Sequence, residues 1–379
     1  MTTTTYGLLS TYPPTQCGLA TFTAALRTHL GGPGARSEDF GVVRVVDQLE
    51  SGSPPEVVHD LLKGSPSSRR RAAAELNEFD VAIVQHEYGI FGGPDGDEVL
   101  ALLGELTVPS IVVLHTVLVN PTDRQKEILE AVVRAADAVV TMTRTAYRRL
   151  RDYEVDMTKA SVIPHGAHVP SPAIAARPDA ARPTILTWGL LGPGKGIEWA
   201  IEAIGMLGHL DPAPRYLVVG KTHPKVLERH GESYRDSLRD QAERLGVSEQ
   251  VEFNAAYLSL DALESIVRDA DVVLLPYDSP DQVTSGVLIE AVAAGKPVIS
   301  SRFPHAVEML GDGVGLLVPH RNPRAIAAAL EQVLTQPALK STMAARSALL
   351  SPLLGWPAVA GQYRALAEQV VALRVTAVA

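Results

Sequence analysis

Short apolar runs rich in Val, Ile and Leu recur along the chain, separated by stretches whose apolar positions fall at helical spacing. In the first half, the runs at 5–11 (TYGLLST), 40–46 (FGVVRVV), 79–85 (FDVAIVQ), 109–115 (PSIVVLH), 137–142 (DAVVTM) and 160–164 (ASVIP) predict strands. Helices are predicted at 19–30, 122–136 and 143–152. Runs this continuously apolar suit strands buried on both faces, and so a mostly parallel sheet with helices covering it.

The stretch 169–183 (VPSPAIAARPDAARP) carries four prolines and no clear period. It breaks the rhythm, and 171–183 is read as a linker. The alternation then restarts. Strands are predicted at 184–188, 215–220, 250–254, 271–276, 296–300 and 315–319, with helices near 194–207, 232–245, 259–269, 284–295 and 322–335. The expected organisation is a first domain over 1–170, a second over 184–352, and a C-terminal helix over 353–379 that packs back towards the first. Each domain is a doubly wound α/β sheet, and two of them imply a cleft between. In such sheets ligands bind beyond the carboxyl ends of the strands, so chemistry is sought just after strands.

Length and composition agree with that picture. A chain of 379 residues fits two domains of about 100–200 residues each. With 46% hydrophobic and 20% charged residues, wholesale disorder is excluded. Lys and Arg number 34 against 43 Asp and Glu, a net charge of −9 that offers no basic face to nucleic acid. Cys17 is the only cysteine, which excludes an intrachain disulfide and a cysteine zinc cluster; it is read as an inert small residue. No run of about 18 apolar residues is present, so a cytoplasmic protein is expected, with peripheral membrane contact left open.

Two motifs carry chemistry. The first follows the strand at 184–188: Trp188, Gly189, Leu190, Leu191, Gly192, Pro193, Gly194, Lys195 and Gly196, then a helix. Glycines let backbone N–H groups approach an anion, while the helix start and Lys195 add positive charge. The spacing matches a Walker A loop except that Gly196 replaces the magnesium-binding Ser or Thr. A Gly-rich turn with a solvated lysine is the plain alternative.

The second runs from Tyr277 to Ile299. Thr284, Ser285 and Gly286 stand where a helix begins, and their N–H groups are expected to be free for oxygen ligands. Glu290 follows about a turn later, beside the buried stripe of Val287, Leu288, Ala291 and Ala294. It suits a bidentate acceptor for sugar or ribose hydroxyls, or equally a surface carboxylate that stabilises the helix N-terminal half.

Together these pieces resemble the GT4 family of glycosyltransferases, along nearly the whole chain. The likeness is densest in TWGLLGPGKGIEWAIEAI, YLVVGKTHP, ADVVLLPYDSPDQVTSGVLIEAVAAGKPVIS and GVGLLVP, joined by LLSTYPPTQCGLATFTAAL, VQHEYGIFGG, VVLHTVL and VIPHGAHVP in the first half. The resemblance implies the GT-B fold: two Rossmann-like domains facing a central cleft, the first binding acceptor and the second a nucleotide sugar. It implies a retaining, metal-independent transfer from a nucleoside-diphosphate sugar, GDP-mannose or a UDP-hexose, to a carbohydrate or other hydroxyl acceptor. No cofactor is implied.

By the same resemblance, Lys195 holds the donor diphosphate on the loop of Gly189 and Gly194. The family's arginine after the first glycine is replaced by Leu190, and Lys221 is a substitute. Of the family's Glu-x7-Glu pair, the second member is Glu290, on the ribose, and the first is Gln282, on the donor sugar. N–H groups from Val283 to Gly286 line sugar and phosphate, so Ser285 and Gly286 join the diphosphate site. Gly18 lies near the phosphate and acceptor, and His115 at the donor sugar, with a strand-end histidine bonded to backbone as the alternative for His115. His86, Glu87 and Tyr88 are assigned to acceptor binding, with a structural turn as the alternative. Asp95 and Asp97 are read as part of a turn rather than a metal site. An epimerase, a phosphorylase or a binding protein without turnover stays open on the same fold. A dinucleotide-binding dehydrogenase is disfavoured, because the first strand runs into Ser10-Thr11-Tyr12-Pro13-Pro14 and not G-x-G-x-x-G.

Overall fold

The apolar runs form two all-parallel sheets in a computed structural model, which describes residues 4–31, 36–49, 52–169 and 182–378. The chain divides into two compact units. Unit 1 comprises Met1–Gly166 with Trp356–Ala379, and unit 2 is Ala167–Gly355.

Unit 1 holds strands β1 (Tyr6–Ser10), β2 (Phe40–Val46), β3 (Val57–Leu62), β4 (Val81–His86), β5 (Ser110–Leu114), β6 (Ala138–Thr141) and β7 (Ala160–Val162). Their order is β3-β2-β1-β4-β5-β6-β7, with Tyr6 level with Phe40 on one side and Val81 on the other. The order reverses between β1 and β4, which is where an open α/β sheet leaves a crevice at its carboxyl edge. Helices α1 (Gly18–Leu30), α2 (Pro66–Leu76), α3 (Glu98–Gly104), α4 (Asp123–Ala135) and α5 (Arg144–Leu150) connect the strands. Helix α4 starts at a reciprocal cap: Thr122 Oγ1 accepts from the Gln125 N–H, and Gln125 Oε1 from the Thr122 N–H.

Unit 2 holds β8 (Thr184–Trp188), β9 (Arg215–Val219), β10 (Val251–Asn254), β11 (Val272–Leu275), β12 (Val298–Ser301) and β13 (Gly315–Val318), ordered β10-β9-β8-β11-β12-β13. Its helices are α6 (Ile197–Gly205), α7 (Pro224–His230), α8 (Ser233–Arg244), α9 (Leu260–Asp269), α10 (Gly286–Ala293), α11 (Pro304–Met309), α12 (Pro323–Thr335) and α13 (Pro337–Leu354). Strand alternation splits the core in two. Ile185, Val272 and Leu274 pack with Ile201, Ile204 and Leu330 on one face. Leu186, Val273 and Leu275 pack with Leu288, Ile289 and Phe303 on the other. Again the order reverses at the central pair, β8 and β11.

The last helix, α14 (Trp356–Val378), belongs to unit 1. Its Val359, Ala360, Tyr363 and Ala367 are buried with Phe22 and Leu26 of α1, and Arg364 donates to the His29 carbonyl at 2.9 Å. The second domain therefore ends at Gly355 rather than 352, and Pro352 lies inside α13. Apart from Arg182 and Pro183, the linker expected at 171–183 lies outside the described residues. Those two already join unit 2: the Pro183 carbonyl accepts from the Arg215 N–H at 2.8 Å, and Arg182 Nε donates to the Ala213 carbonyl at 2.9 Å.

The predicted strands all form, with ends displaced by a residue or two. Elements β3, α2, α3, α7, α11 and α13 were not foreseen. Strand β3 is an edge strand with half-exposed positions, and α2 (PSSRRRAAAEL) buries only Ala72, Ala73 and Leu76, so neither has a strong apolar pattern. Among the described residues no helix is long and apolar enough to cross a membrane.

Candidate active site

The Gly-rich loop leaves the carboxyl end of β8 at the reversal point of unit 2. Gly189, Gly194 and Gly196 have φ of +114°, +89° and +66°. At Gly196 the choice is forced twice, since a Cβ there would stand 1.9 Å from the Pro276 carbonyl oxygen. The loop is tied on both sides. The Asp278 N–H bonds the Gly194 carbonyl at 2.9 Å, after β11. After β9, the Leu191 N–H bonds the Lys221 carbonyl and the His223 N–H bonds the Leu191 carbonyl, both at 2.8 Å. Lys195 sits with Nζ 4.3 Å from the Tyr277 ring centroid, and that ring is buried and stacked on Phe303. An ammonium over a shielded ring is held by about 0.5–2 kcal/mol, weakly enough to turn to an anion. The Lys221 side chain is exposed on the neighbouring turn, and Leu190 is half-buried.

Helix α10 starts beside this loop: a Cβ on Gly189 would lie 3.5 Å from the Val287 side chain. Ser285 is its N-cap, with Oγ accepting from the Leu288 N–H at 3.3 Å. The backbone N–H of Ser285 is not free, contrary to the sequence expectation. It donates to Nδ1 of the buried His305 at 2.8 Å. The N–H groups of Gly286 and Val287, at the start of the helix, are without an acceptor among the described residues, as are those of Val283 and Thr284 before it. Gln282 turns its amide inward, with Nε2 donating to the Thr284 carbonyl at 2.9 Å, which leaves Oε1 as the open acceptor. Glu290 accepts a hydrogen bond from the Trp188 side chain, and burial pushes its carboxyl up to about 7. Trp188, the residue before Gly189, thus ties Glu290 to the base of the loop.

In unit 1, Gly18 opens α1 directly after β1. A Cβ there would meet nothing within 4 Å, so the backbone faces open space. Cys17 is not inert filler. It is the N-cap of α1, its Sγ accepting from the Ala20 N–H at 3.5 Å and lying 3.2 Å from Thr11 Oγ1. His115 follows β5. Its Nε2 meets Gln85 Oε1 at 2.7 Å, and its ring stands edge-on to Phe22, as does that of His165. Bonding to an amide oxygen places the proton on Nε2 and leaves Nδ1 as the acceptor. Burial lowers the His115 pKa to about 3, with the charges of His165 and His86 adding to it, and lowers His86 to about 4. Both rings are neutral at physiological pH.

The candidate acceptor residues divide. His86 is 1% exposed, its ring set edge-on to Tyr88. Tyr88 Oη donates to the Gln125 carbonyl at 3.1 Å. Glu87 is half-exposed and takes the Thr116 hydroxyl at 2.5 Å on Oε2 and the Tyr88 N–H at 3.1 Å on Oε1. Of the three, Glu87 carries the half-exposed carboxylate. Asp95 and Asp97 are engaged elsewhere. Gln125 Nε2 donates to Asp95 at 3.1 Å, Arg124 pairs with Asp97, and Asp95 has the φ of +53° of a tight turn.

Some of the buried polar atoms without a protein partner among the described residues lie near these loops, while others are scattered on helices. The former include Ser10 Oγ at the end of β1, Gln85 Nε2 and His86 Nδ1 on β4, and Thr284 Oγ1 before α10. Such atoms mark places where a ligand or water completes the bonding. Gln85, Phe22, His165 and His305 were not singled out from the sequence, and Trp188 only as the first residue of the loop motif. Gln85 lay one residue from His86, which was, at a strand end. His305 is visible only in three dimensions.

Comparison with known proteins agrees with this geometry. Residues 175–348 match the family model described as glycosyl transferases group 1, and residues 26–169 match that of glycosyltransferase family 4. A D-inositol 3-phosphate glycosyltransferase of Kineococcus radiotolerans is 31% identical over 61% of this chain and 57% of its own length. A phosphatidyl-myo-inositol mannosyltransferase of Mycobacterium leprae is 29% identical over 55% and 53%. The chain therefore spans little more than half the length of these curated relatives. The solved structure of Anabaena HepE with UDP and glucose superposes with a TM-score of 0.74 at 15% identity, covering 96% of this chain and all of that one. Sucrose-phosphate synthase from Thermosynechococcus elongatus gives 0.74 at 18% identity, over 97% of this chain and all of that one. With two parallel Rossmann-like sheets, a GT-B fold, and family models matched in both units, the chain belongs to the group 1, family 4 glycosyltransferases.

Proposed function

We propose that this protein transfers a hexosyl group from a nucleoside-diphosphate sugar, GDP-mannose or a UDP-hexose, to a hydroxyl acceptor with retention of configuration. The observation that carries the reading is the meeting, in unit 2, of Lys195 on its glycine loop, the open N–H groups of Gly286 and Val287, and Glu290 tied to Trp188. The loop and helix start offer N–H donors and one cation to a diphosphate, and they gain most where charge builds up on the leaving group. Glu290 takes the ribose hydroxyls. Also in unit 2, Gln282 Oε1 takes a hydroxyl of the transferred sugar. The leaving phosphate receives the acceptor proton, so the protein supplies no carboxylate nucleophile. The HepE structure with UDP and glucose and the mannosyltransferase name of the Mycobacterium relative support a nucleotide-sugar donor.

The test is a panel of UDP- and GDP-sugars with polyol and sugar acceptors, followed by product analysis. A glycoside with free nucleoside diphosphate is expected. An epimerised donor or a sugar phosphate would replace this reading with an epimerase or phosphorylase. Failure of every UDP- and GDP-sugar to bind would end it. The proposal includes no divalent cation, so turnover should persist in EDTA; loss reversed by magnesium or manganese would contradict that part.

A further inference from the structure

A diphosphate brings a negative charge on each phosphate, and the Gly-rich loop itself supplies one cation, Lys195, because Leu190 carries none. We infer that His223 is a second side-chain donor to the diphosphate, presented on the turn that follows β9. This rests on the reading of the Lys195 loop as the diphosphate site.

The geometry is specific. The His223 N–H bonds the Leu191 carbonyl at 2.8 Å, and Thr222 bridges Leu191, so this residue is locked to the loop's own backbone. Val226, one residue on from Lys225, lies so close to Gly192 that a Cβ there would stand 3.1 Å from its side chain. His223 Nδ1 accepts from the Lys225 N–H at 3.2 Å. That assigns the ring proton of the neutral form to Nε2, which is left as a donor. His223 is half-buried. Burial lowers its pKa, and the positive charges of Lys225 and then Lys195 lower it further, so it shares the electrostatic surroundings of Lys195. A diphosphate arriving there would favour its protonation and strengthen the contact.

The turn is braced from behind. Arg235 on α8 is 2% exposed and donates to the Gly220 carbonyl at 2.7 Å and to Glu232 at 3.2 Å, while Thr222 Oγ1 also bonds Glu232. Gly220, with φ of +142°, touches Gly189 so closely that a Cβ would stand 1.9 Å from the Gly189 carbonyl oxygen. This buried cation fixes the turn against the loop, and the turn in turn fixes His223.

Calorimetry with UDP and GDP, and with uridine and guanosine as controls, tests this on the whole protein. His223→Asn keeps a side-chain acceptor for the Lys225 N–H and removes the imidazole, with its Nε2 donor and its capacity to take a proton. His223→Asn should weaken whichever diphosphate binds by about 10-fold and leave its nucleoside within about twofold, the size of a lost hydrogen bond to a charged group. His223→Asp, which caps equally well, should weaken the diphosphate further. Adding Leu190→Arg to His223→Asn should restore most of the loss. Lys195→Ala separates the two readings. If Lys195→Ala weakens the diphosphate but neither His223 variant does, the diphosphate site stands and the inference about His223 falls. If Lys195→Ala has no effect either, both fall. Equal weakening of diphosphate and nucleoside by both His223 variants would make the residue a structural cap and overturn the inference.

Discussion

If Glu290 takes the ribose as proposed, its ionisation is linked to binding. A carboxylate accepts two hydroxyl donors only when ionised, and its pKa is pushed up to about 7 by burial. Nucleoside diphosphate affinity should therefore rise as pH increases through about 7, and Glu290→Gln should flatten that rise; a pH series of calorimetric titrations reads both. Stability of the free protein should run the other way. The folded pKa lies above the ordinary carboxyl value of about 4.5, so the folded state binds the proton more tightly. That stabilisation is present below about 4.5 and is lost as pH rises towards 7. Thermal melting of the wild type should decline relative to Glu290→Gln across that window, and a flat difference would contradict the assignment. Lys195→Ala should cost about 1.5–3 kcal/mol of diphosphate affinity, the range for a hydrogen bond to a charged group. Gln282→Ala should lower kcat more than it raises the donor KM, whereas Glu290→Ala should mainly raise KM, because a ribose contact is equal in ground and transition states.

At the scale of elements, Ser285 is a cap. Its hydroxyl serves the Leu288 N–H and its backbone N–H serves His305. Ser285→Ala should lower unfolding free energy by about 0.5–2 kcal/mol in urea titrations, with nucleoside diphosphate affinity nearly unchanged. A loss of affinity without loss of stability would return Ser285 to the phosphate site. Much of this region was legible in the sequence. The strand, glycine loop and helix around Lys195 advertise themselves by residue type, because φ above +60° and backbone contact at Gly196 admit no side chain. So do the strands of both sheets, buried on both faces. What was not legible depends on partners distant in sequence. Nothing near Ser285 says that a histidine twenty residues on will take its N–H, and nothing near Glu290 says that Trp188 will reach it. Edge strand β3 and polar helix α2 escaped for a simpler reason: they bury too little to show a period.

At the scale of the molecule, unit 2 is continuous in sequence while unit 1 is made of two segments, the second being α14. Trp356 stands edge-on to Phe22, and Gly166 is required beneath it, since a Cβ there would lie 2.3 Å from the indole. Removing residues from 356 onward would take away the α14 side of the cluster that holds Phe22 and Leu26, leaving α1 packed on the sheet alone. The truncated chain should show an early melting transition for unit 1 and an unchanged one for unit 2 in scanning calorimetry. Coincident, unshifted transitions would mean that α14 is dispensable.

That arrangement also sets an order of events during synthesis on the ribosome. Domains usually become native as they emerge, the amino-terminal one first. Here the apolar face of α1 waits through the synthesis of all of Ala167–Gly355 before residues 356–370 arrive to cover it. The first-made unit is the last to close. During that interval, a nascent chain with a finished second unit holds α1 on the sheet alone, its outer apolar face still without α14.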